Sequence, residues 1–521
     1  MGRKGRGQSA SEKKKADAQF FRDPDRIAAG LLGSKFLHDP KGSDKDSITK
    51  EERDAAAFTL AYWQDDFDCW RDGCYYKIPD SDTKAIVTQH MQRLKIMAQD
   101  EEQDVRITTA NVNNVILCLK GLVHIPSERC LNSWPDQRDR QGIHSVAFAN
   151  GILMYYPSKS DPSPVLAKST PHFFNVVKLP YDYDPAATCK PWVAFLDGIM
   201  LGDQEYITLL QQWLAYLLRP DLWEHKFLLT VGEGANGKGV FAEVVEAFIG
   251  RENCSHVALN RFSSAFAPYR TYGKLANITN ESSSMIDDEA ESVLKAFVAG
   301  DRFTFERKHK DSIEAVPTAK IMISTNALPR FNDKTQGIWR RILLVPFNKV
   351  VPPEEQIKGL ASEIIKTDLP GIFNWALEGL PTLNRDGFLV PQANAELMEE
   401  YRKDSDPARA FLTDHFTSSP NGQSMPCSEA YQSYRQWCED SGYRRMGDRA
   451  FGHEVRRVFP DVERVRVGSR ANRQYEYRGT LGLGTWGTRR CFRSRPRKAR
   501  QTAAAMRWRI GARKAGTESG C

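Results

Sequence analysis

No stretch of this chain approaches the roughly 18 consecutive apolar residues that a membrane-spanning helix needs, so no transmembrane segment is expected. No secretory leader is expected either. The basic start MGRKGRGQSASEKKK runs into ADAQFFRDPDR rather than into an apolar segment, and the expected location is the cytoplasm. The 10 cysteines are scattered, with Cys69 and Cys74 the nearest pair, and none forms a C-x-x-C cluster with a histidine, so reduced thiols are expected rather than a zinc centre. Before residue 200 no acidic cluster stands out as a polymerising metal site. Asp65, Asp66 and Asp68, and likewise Asp182 and Asp184, read as surface acids and scaffold. Basic charge is also scarce over most of the chain. The formal net charge is +7, but eleven Lys or Arg against Glu518 alone lie beyond residue 480, leaving the first 480 residues at −3. Nucleic-acid binding therefore has to be argued from local sites and not from the overall charge.

What is present is a soluble composition, 41% hydrophobic and 27% charged, over 521 residues, enough for about three or four compact units. Residues 1–50 are polar and expected to be largely flexible. Residues 51–190 read as an α+β domain: Glu51 to Trp63 as a helix, CYYKI as a strand, AIVTQHMQRLKIMA as an amphipathic helix, and HSVAFANGILMYY as strand material around Asn150 and Gly151. A helical collar follows over 191–220. Residues 221–385 alternate strand and helix in the order expected of an α/β unit with a parallel sheet. Residues 400–480 give two helices and a hairpin, a winged-helix-like module. The tail 481–521 is basic and expected to be disordered.

The chemistry centres on Gly232-Glu233-Gly234-Ala235-Asn236-Gly237-Lys238-Gly239, followed by Val240. It satisfies G-x-x-x-x-G-K between a predicted strand and a predicted helix, the context of a phosphate-binding loop. Glycines let backbone N–H groups turn towards phosphate oxygens, the helix presents its positive end, and Lys238 reaches the outer phosphates. Gly239 departs from the pattern, standing where a Ser or Thr hydroxyl would normally ligand Mg²⁺. Hydrolysis needs an acid at a neighbouring strand end. Glu281, with Asn280 beside it, is the candidate catalytic carboxylate and Mg²⁺ holder. Asn326 ends the next strand and is suited to sense the γ-phosphate, although Asn also favours turns.

These strings, in the order GEGANGKGVF, YGKLANITNE, LKAFVAGDRFTFERKHK, PTAKIMISTN and GIWRRILLVPF, resemble the superfamily 3 helicases, and within them the phage and plasmid primase-helicases and the poxvirus D5-type ATPases. WRDGCYYKI, FANGIL and TPHFFNVVKLPYDYDP resemble the domain that precedes the motor in that family. The resemblance implies an AAA+-like P-loop core using ATP and Mg²⁺, with Lys238 on the phosphates, Glu281 as the Walker B acid and Asn326 as the sensor. It implies a DNA-gripping hairpin at Arg307, Lys308, His309 and Lys310, and an arginine finger at Arg341 or Arg340 reaching a neighbouring subunit, with Lys295 a second such cation. A homo-hexameric ring around single-stranded DNA, acting in phage, prophage or plasmid replication, would follow. From the residues alone, the basic hairpin is also compatible with an exposed polar turn, and Arg340 and Arg341 with structural salt bridges.

In the terminal module, Arg449, His453, Arg456, Arg457, Arg464, Arg466, Arg470 and Arg473 make binding of duplex origin DNA plausible, though such modules also join proteins. Two alternatives to the helicase stay open at this point. One is a primase-helicase that makes primers itself, rather than working with a separate primase. The other is a DNA-binding assembly protein that uses nucleotide without unwinding.

Overall fold

The computed structural model describes residues 23–37 and 58–483, apart from short internal stretches that include 127–130, 136–141, 157–163, 282–285, 332–336, 418–423 and 469–473. Arg470, Arg473 and the basic tail beyond Leu483 lie outside the described residues. Within 1–50, where no element was expected, Pro24–Lys35 form helix α1, capped by the Asp23 carboxylate and burying Ile27, Ala28, Leu31 and Leu32.

The first sheet is an antiparallel meander of β1 (Leu60–Trp63), β2 (Asp66–Arg71) and β3 (Cys74–Ile78). The helix expected over Glu51 to Trp63 is corrected here: its last residues are strand β1. Gln64 and Asp65 both take positive φ, 46° and 64°, which is the backbone of a two-residue hairpin turn. Helices α2 (Asp80–Arg93) and α3 (Thr109–Leu122) pack with α1 on one face of this sheet, around Leu60 and Phe67. Two short hairpins complete the region: β4 (Lys95–Ala98) with β5 (Glu101–Asp104), and β6 (His144–Phe148) with β7 (Gly151–Tyr155), to which β8 (Val165–Ala167) adds.

Helices α4 (Lys190–Ile199) and α5 (Gln204–Leu217) lead into the central sheet. That sheet is formed by β9 (Phe227–Val231), β10 (Cys254–Ser255), β11 (Ala276–Glu281), β14 (Lys320–Thr325) and β15 (Ile342–Pro346), every pairing parallel, in the spatial order β10-β11-β14-β9-β15. The α/β class with a parallel sheet is thus observed. Strands β9 and β15 are almost wholly apolar and buried because both faces of the sheet are covered, while β10, β11 and β14 also bury polar residues, among them Ser255, Asn277 and Ser324. Phe227, Leu229 and Val231 of β9 point to one core, shared with α7 (Asp288–Val298); Leu228 points to the other, shared with α6 (Lys238–Ile249), α5 and α9 (Leu369–Asp386). Between α7 and β14 a hairpin of β12 (Phe303–Phe305) and β13 (Ile313–Ala315) forms a two-stranded sheet of its own.

Helix α8 (Leu360–Thr367) lies against α6, and α10 (Gln392–Ser405) leads to the last module. There α11 (Pro407–His415), α12 (Cys427–Ser441) and α13 (Asp448–Val458) enclose a core with a three-stranded sheet of β17 (Met425–Pro426), β18 (Glu463–Val467) and β19 (Gln474–Arg478). A small pair, β16 (Phe416–Thr417) with β20 (Gly482–Leu483), closes it. Among the described residues no helix is long and apolar enough to cross a membrane.

Candidate functional site

Strand β9 ends at Val231 and helix α6 begins at Lys238, so Gly232 to Gly237 form the turn between them. The turn is specified by close approach. A Cβ on Gly232 would lie 2.4 Å from the Phe347 carbonyl oxygen and 2.2 Å from the Asn236 amide nitrogen. Gly237 has φ +85°, a region that suits glycine, and a Cβ there would lie 2.9 Å from Ile199 Cγ2. Asn236 is buried and donates to the Phe347 carbonyl at 3.0 Å, while the Ala235 carbonyl accepts from the Val351 amide at 2.8 Å. The segment after β15 therefore pins the loop from outside. Helix α6 has no side-chain cap, which leaves the first amides of the helix facing the loop. Lys238, 7% exposed, donates to the Gly232 carbonyl and to Asn236 Oδ1 at 3.1 Å. Burial pushes its ammonium down from the usual lysine range. Glycine turn, uncapped helix start and inward lysine together make an anion-receiving concavity.

The sheet brings the other candidates to the same end. Glu281 is in register with Thr325, and Thr325 with Val231. Asn326, directly after Thr325, is exposed, and the Gly232 amide donates to the Thr325 carbonyl at 3.3 Å. Asn280 is exposed on β11. The residue at 239 meets open space, with no atom within 4 Å of where a Cβ would stand.

Arg340 and Arg341 are not near this cluster in the same chain. They precede Ile342, which is in register with Phe227 at the start of β9, so they sit at the opposite end of the sheet, roughly 16 Å away at about 3.3 Å per strand residue. Arg341 donates to the Gly337 carbonyl, and Lys226 donates to the Arg340 carbonyl at 2.6 Å. Lys226, which the sequence did not single out, joins them in a basic cluster; burial first, and then these two arginines, depress its pKa. Lys295 on α7 lies 3.8 Å from Glu291.

The hairpin candidates divide. Lys308 and His309 are exposed at the tip. Arg307 and Lys310 are not free contacts. Arg307 is buried, with Nη1 3.0 Å from Asp66 Oδ2 and Nε donating to the Asp311 carbonyl at 2.7 Å. Lys310 donates to Asp66 Oδ1 at 2.6 Å. The reason is that Asp66, expected at the surface together with Asp68, is like Asp68 only 5% exposed, and the buried Asp66 carboxylate collects cations. Phe305 is buried against Tyr272, with ring centroids 5.2 Å apart, and serves packing.

In the last module, Arg449, His453 and Arg456 are exposed at helical spacing on α13, and Arg464 and Arg466 are exposed on β18, with the Arg464 guanidinium over the Tyr475 ring at 4.3 Å. Arg457 is engaged with Glu454 and Asp406.

Residues 230–341 match a family described as being of unknown function, DUF5906, and residues 406–481 match the RFX DNA-binding domain. The chain is 25% identical over 241 residues to a protein of Acanthamoeba polyphaga mimivirus named "Putative helicase", an alignment spanning 41% of this chain and 25% of that one. A protein of frog virus 3 (isolate Goorha) with the same description is 26% identical over 141 residues, 25% of this chain and 14% of the other. DNA-binding protein RFX7 of Xenopus laevis is 34% identical over 56 residues, 11% of this chain and 4% of its own. The chain thus spans a quarter or less of the length of these relatives. Two solved apo structures of the NrS-1 C-terminal region overlay with TM-scores of 0.44 and 0.46 at 13% and 12% identity, covering 82% and 89% of this chain and 96% and 100% of those chains, a likeness too slight to carry an argument. The chain is similar over part of its length to proteins that bear the name of putative helicases, and over residues 406–481 to a DNA-binding domain.

Proposed function

We propose that the chain is an ATP-dependent DNA helicase of the superfamily 3 type, built as a P-loop NTPase. The observation that carries the reading is the alignment of Glu281, Thr325 and Val231 across three parallel strands, which puts an acid and an asparagine beside the turn that ends in Lys238. In this reading the loop amides and Lys238 hold the ATP phosphates. The donor set suits Mg²⁺, since Mg²⁺ commonly takes one or two carboxylates and completes its shell with phosphate oxygens and waters. Glu281, with Asn280 next to it, would hold it, and the ion would neutralise charge on the phosphates. Asn326 orients the attacked phosphate.

Because Arg340 and Arg341 stand at the far end of their own sheet, they act on the loop of a neighbouring copy, with Lys295 a second such cation by resemblance, which implies a closed ring, a hexamer by resemblance. Lys308 and His309 contact single-stranded DNA in its channel, and the last module contacts duplex DNA. The relatives' names and the RFX match support work on nucleic acid. Primer synthesis by this chain is not favoured, because Asp66 already serves three cations, Lys77, Arg307 and Lys310.

The test is ATP hydrolysis with and without single-stranded DNA, on the native chain and on Lys238→Ala. DNA-stimulated phosphate release that the variant lacks is expected. Equal release from both would end the motor reading.

A further inference from the structure

A cleft of about 590 Å³, in the size range of small-ligand sites, opens between the β1–β3 sheet and the segment that precedes β11. Asp68 borders it from β2 and is only 5% exposed. Its side chain makes no hydrogen bond or ion pair among the described residues. The cause is visible in the register. Lys77 stands opposite Asp68 on β3, but its ammonium turns instead to Asp66 Oδ2 at 2.7 Å and to the Tyr269 hydroxyl at 2.9 Å. A carboxylate can only accept hydrogen bonds, and one buried at a cleft wall without a donor is costly.

Two further features share the cleft. Trp63, Tyr272 and Tyr269 form a row of near-parallel rings, with centroids 6.1 Å apart at 16° for the first pair and 5.9 Å apart at 13° for the second. Flat aromatic surfaces of this kind stack bases without regard to their identity. Beside them Arg270 is exposed, and its side chain makes no hydrogen bond or ion pair among the described residues; Lys274 and Lys178 border the same space.

We propose that this cleft is a nucleobase site that takes guanine, with the Asp68 carboxylate accepting from the N1–H and the 2-amino group, the ring lying along the Tyr269 and Tyr272 side, and Arg270 meeting the phosphate. Guanine is the base whose pairing edge sets two donors side by side to match two carboxylate oxygens. Adenine and cytosine each put an acceptor next to their amino donor, and thymine flanks its single donor with acceptors. The site shares no residue with the Gly232 to Gly239 loop and does not depend on how that loop is read. The guanine can come from a free nucleotide or from an unpaired residue of a strand.

The test is isothermal titration of the full chain carrying Lys238→Ala, which removes the phosphate-loop lysine from the readout. The probes are guanosine 5′-monophosphate, adenosine 5′-monophosphate, and short oligothymidine strands with a central guanine or adenine. Saturable guanine-dependent binding is expected, weakened about tenfold or more by adding Asp68→Asn. The same Asp68→Asn chain should gain binding of xanthosine 5′-monophosphate, whose N1–H and 2-carbonyl match a carboxamide, a change of specificity that a misfolded variant cannot produce. Tighter binding of the monophosphate assigns the site to free nucleotide, and tighter binding of the guanine strand assigns it to the strand. Absence of binding, equal binding of guanine and adenine probes, or guanine affinity unchanged by Asp68→Asn would overturn the proposal.

Discussion

Arg307 Nη1 lies 3.0 Å from Asp66 Oδ2, joining the β12–β13 hairpin to β2 across 241 residues of chain. The guanidinium side chain is 4% exposed and the carboxylate 6%, so removing the acid strands a buried cation. Asp66→Asn is therefore expected to cost roughly 3 to 5 kcal/mol, read as a shift in urea unfolding followed by tryptophan fluorescence. A shift below about 0.5 kcal/mol would mean that the network carries no stability. Burial alone would raise the Asp66 pKa, but hydrogen bonds from Lys310 and Lys77 outweigh it and hold the carboxyl below the usual range. Its contribution is present above the unfolded value of 3.8 and is lost as pH falls below that through the lower folded value.

Asp68 has the opposite sign. Burial pushes its carboxyl from 3.8 up to about 7, Lys77 opposing and Asp66 adding to the rise. The folded state holds a proton that the unfolded state has released, so stability falls as pH rises from about 4 to about 7 and is level above that, by roughly 1.4 kcal/mol per pH unit inside the window. Asp68→Asn should remove that slope. Unfolding curves of both proteins at pH 5 and 8 check it, and parallel pH dependence would contradict it.

The hairpin tip separates structure from contact. Lys308→Ala and His309→Ala, both at exposed positions, should leave thermal unfolding within about 0.5 kcal/mol of the native chain while reducing single-strand binding and strand displacement. Arg307→Gln should do the reverse and lower stability first. Full strand displacement by the double tip variant would remove these residues from the mechanism.

Two glycines of one loop should respond differently. Gly232→Ala drives a methyl into the Phe347 carbonyl and the Asn236 amide and should weaken binding of a fluorescent ATP analogue about tenfold or more. Gly239→Ser enters open space, so stability should hold while the Mg²⁺ needed for half-maximal ATP hydrolysis falls. An unchanged Mg²⁺ requirement would place the ion away from residue 239.

How much of this was legible in the sequence depends on whether the signal was local. The β2–β3 turn at Asp72 and Gly73 carries a D-G pair, and both residues adopt positive φ as that pair predicts. The β1–β2 turn uses Gln64 and Asp65 for the same geometry, without a glycine, so no turn residue marks the end of the strand before it. The loop at Gly232 was readable because strand, turn and helix are contiguous. The burial of Asp66 and Asp68 was not, because it depends on Arg307, Tyr269 and Tyr272, more than 190 residues away. The adjacency of β15 to β9 was equally hidden, since sheet order leaves no local mark.

Mixing offers a check on the neighbouring-copy assignment. Lys238→Ala and Arg341→Ala chains should each hydrolyse ATP at least about 10³-fold more slowly than the native chain. Co-assembled in equal amounts they should recover activity, because about one interface in four then pairs an intact loop with an intact arginine. No recovery, with mixed rings verified by native mass spectrometry, would return Arg341 to a purely structural role.

The hydrogen bond from Asn236 to the Phe347 carbonyl fastens the loop to the exit of β15, and the entry of that same strand bears Arg340 and Arg341. Five fully buried strand residues separate the two points, in a sheet clad on both faces. Such a strand behaves as a strut and not as a spring. In the ring proposed above, a pull at the asparagine would reach the arginines as a displacement of the whole strand, so that what one chain's loop holds and what its arginines offer the next chain would be two ends of a single stiff part.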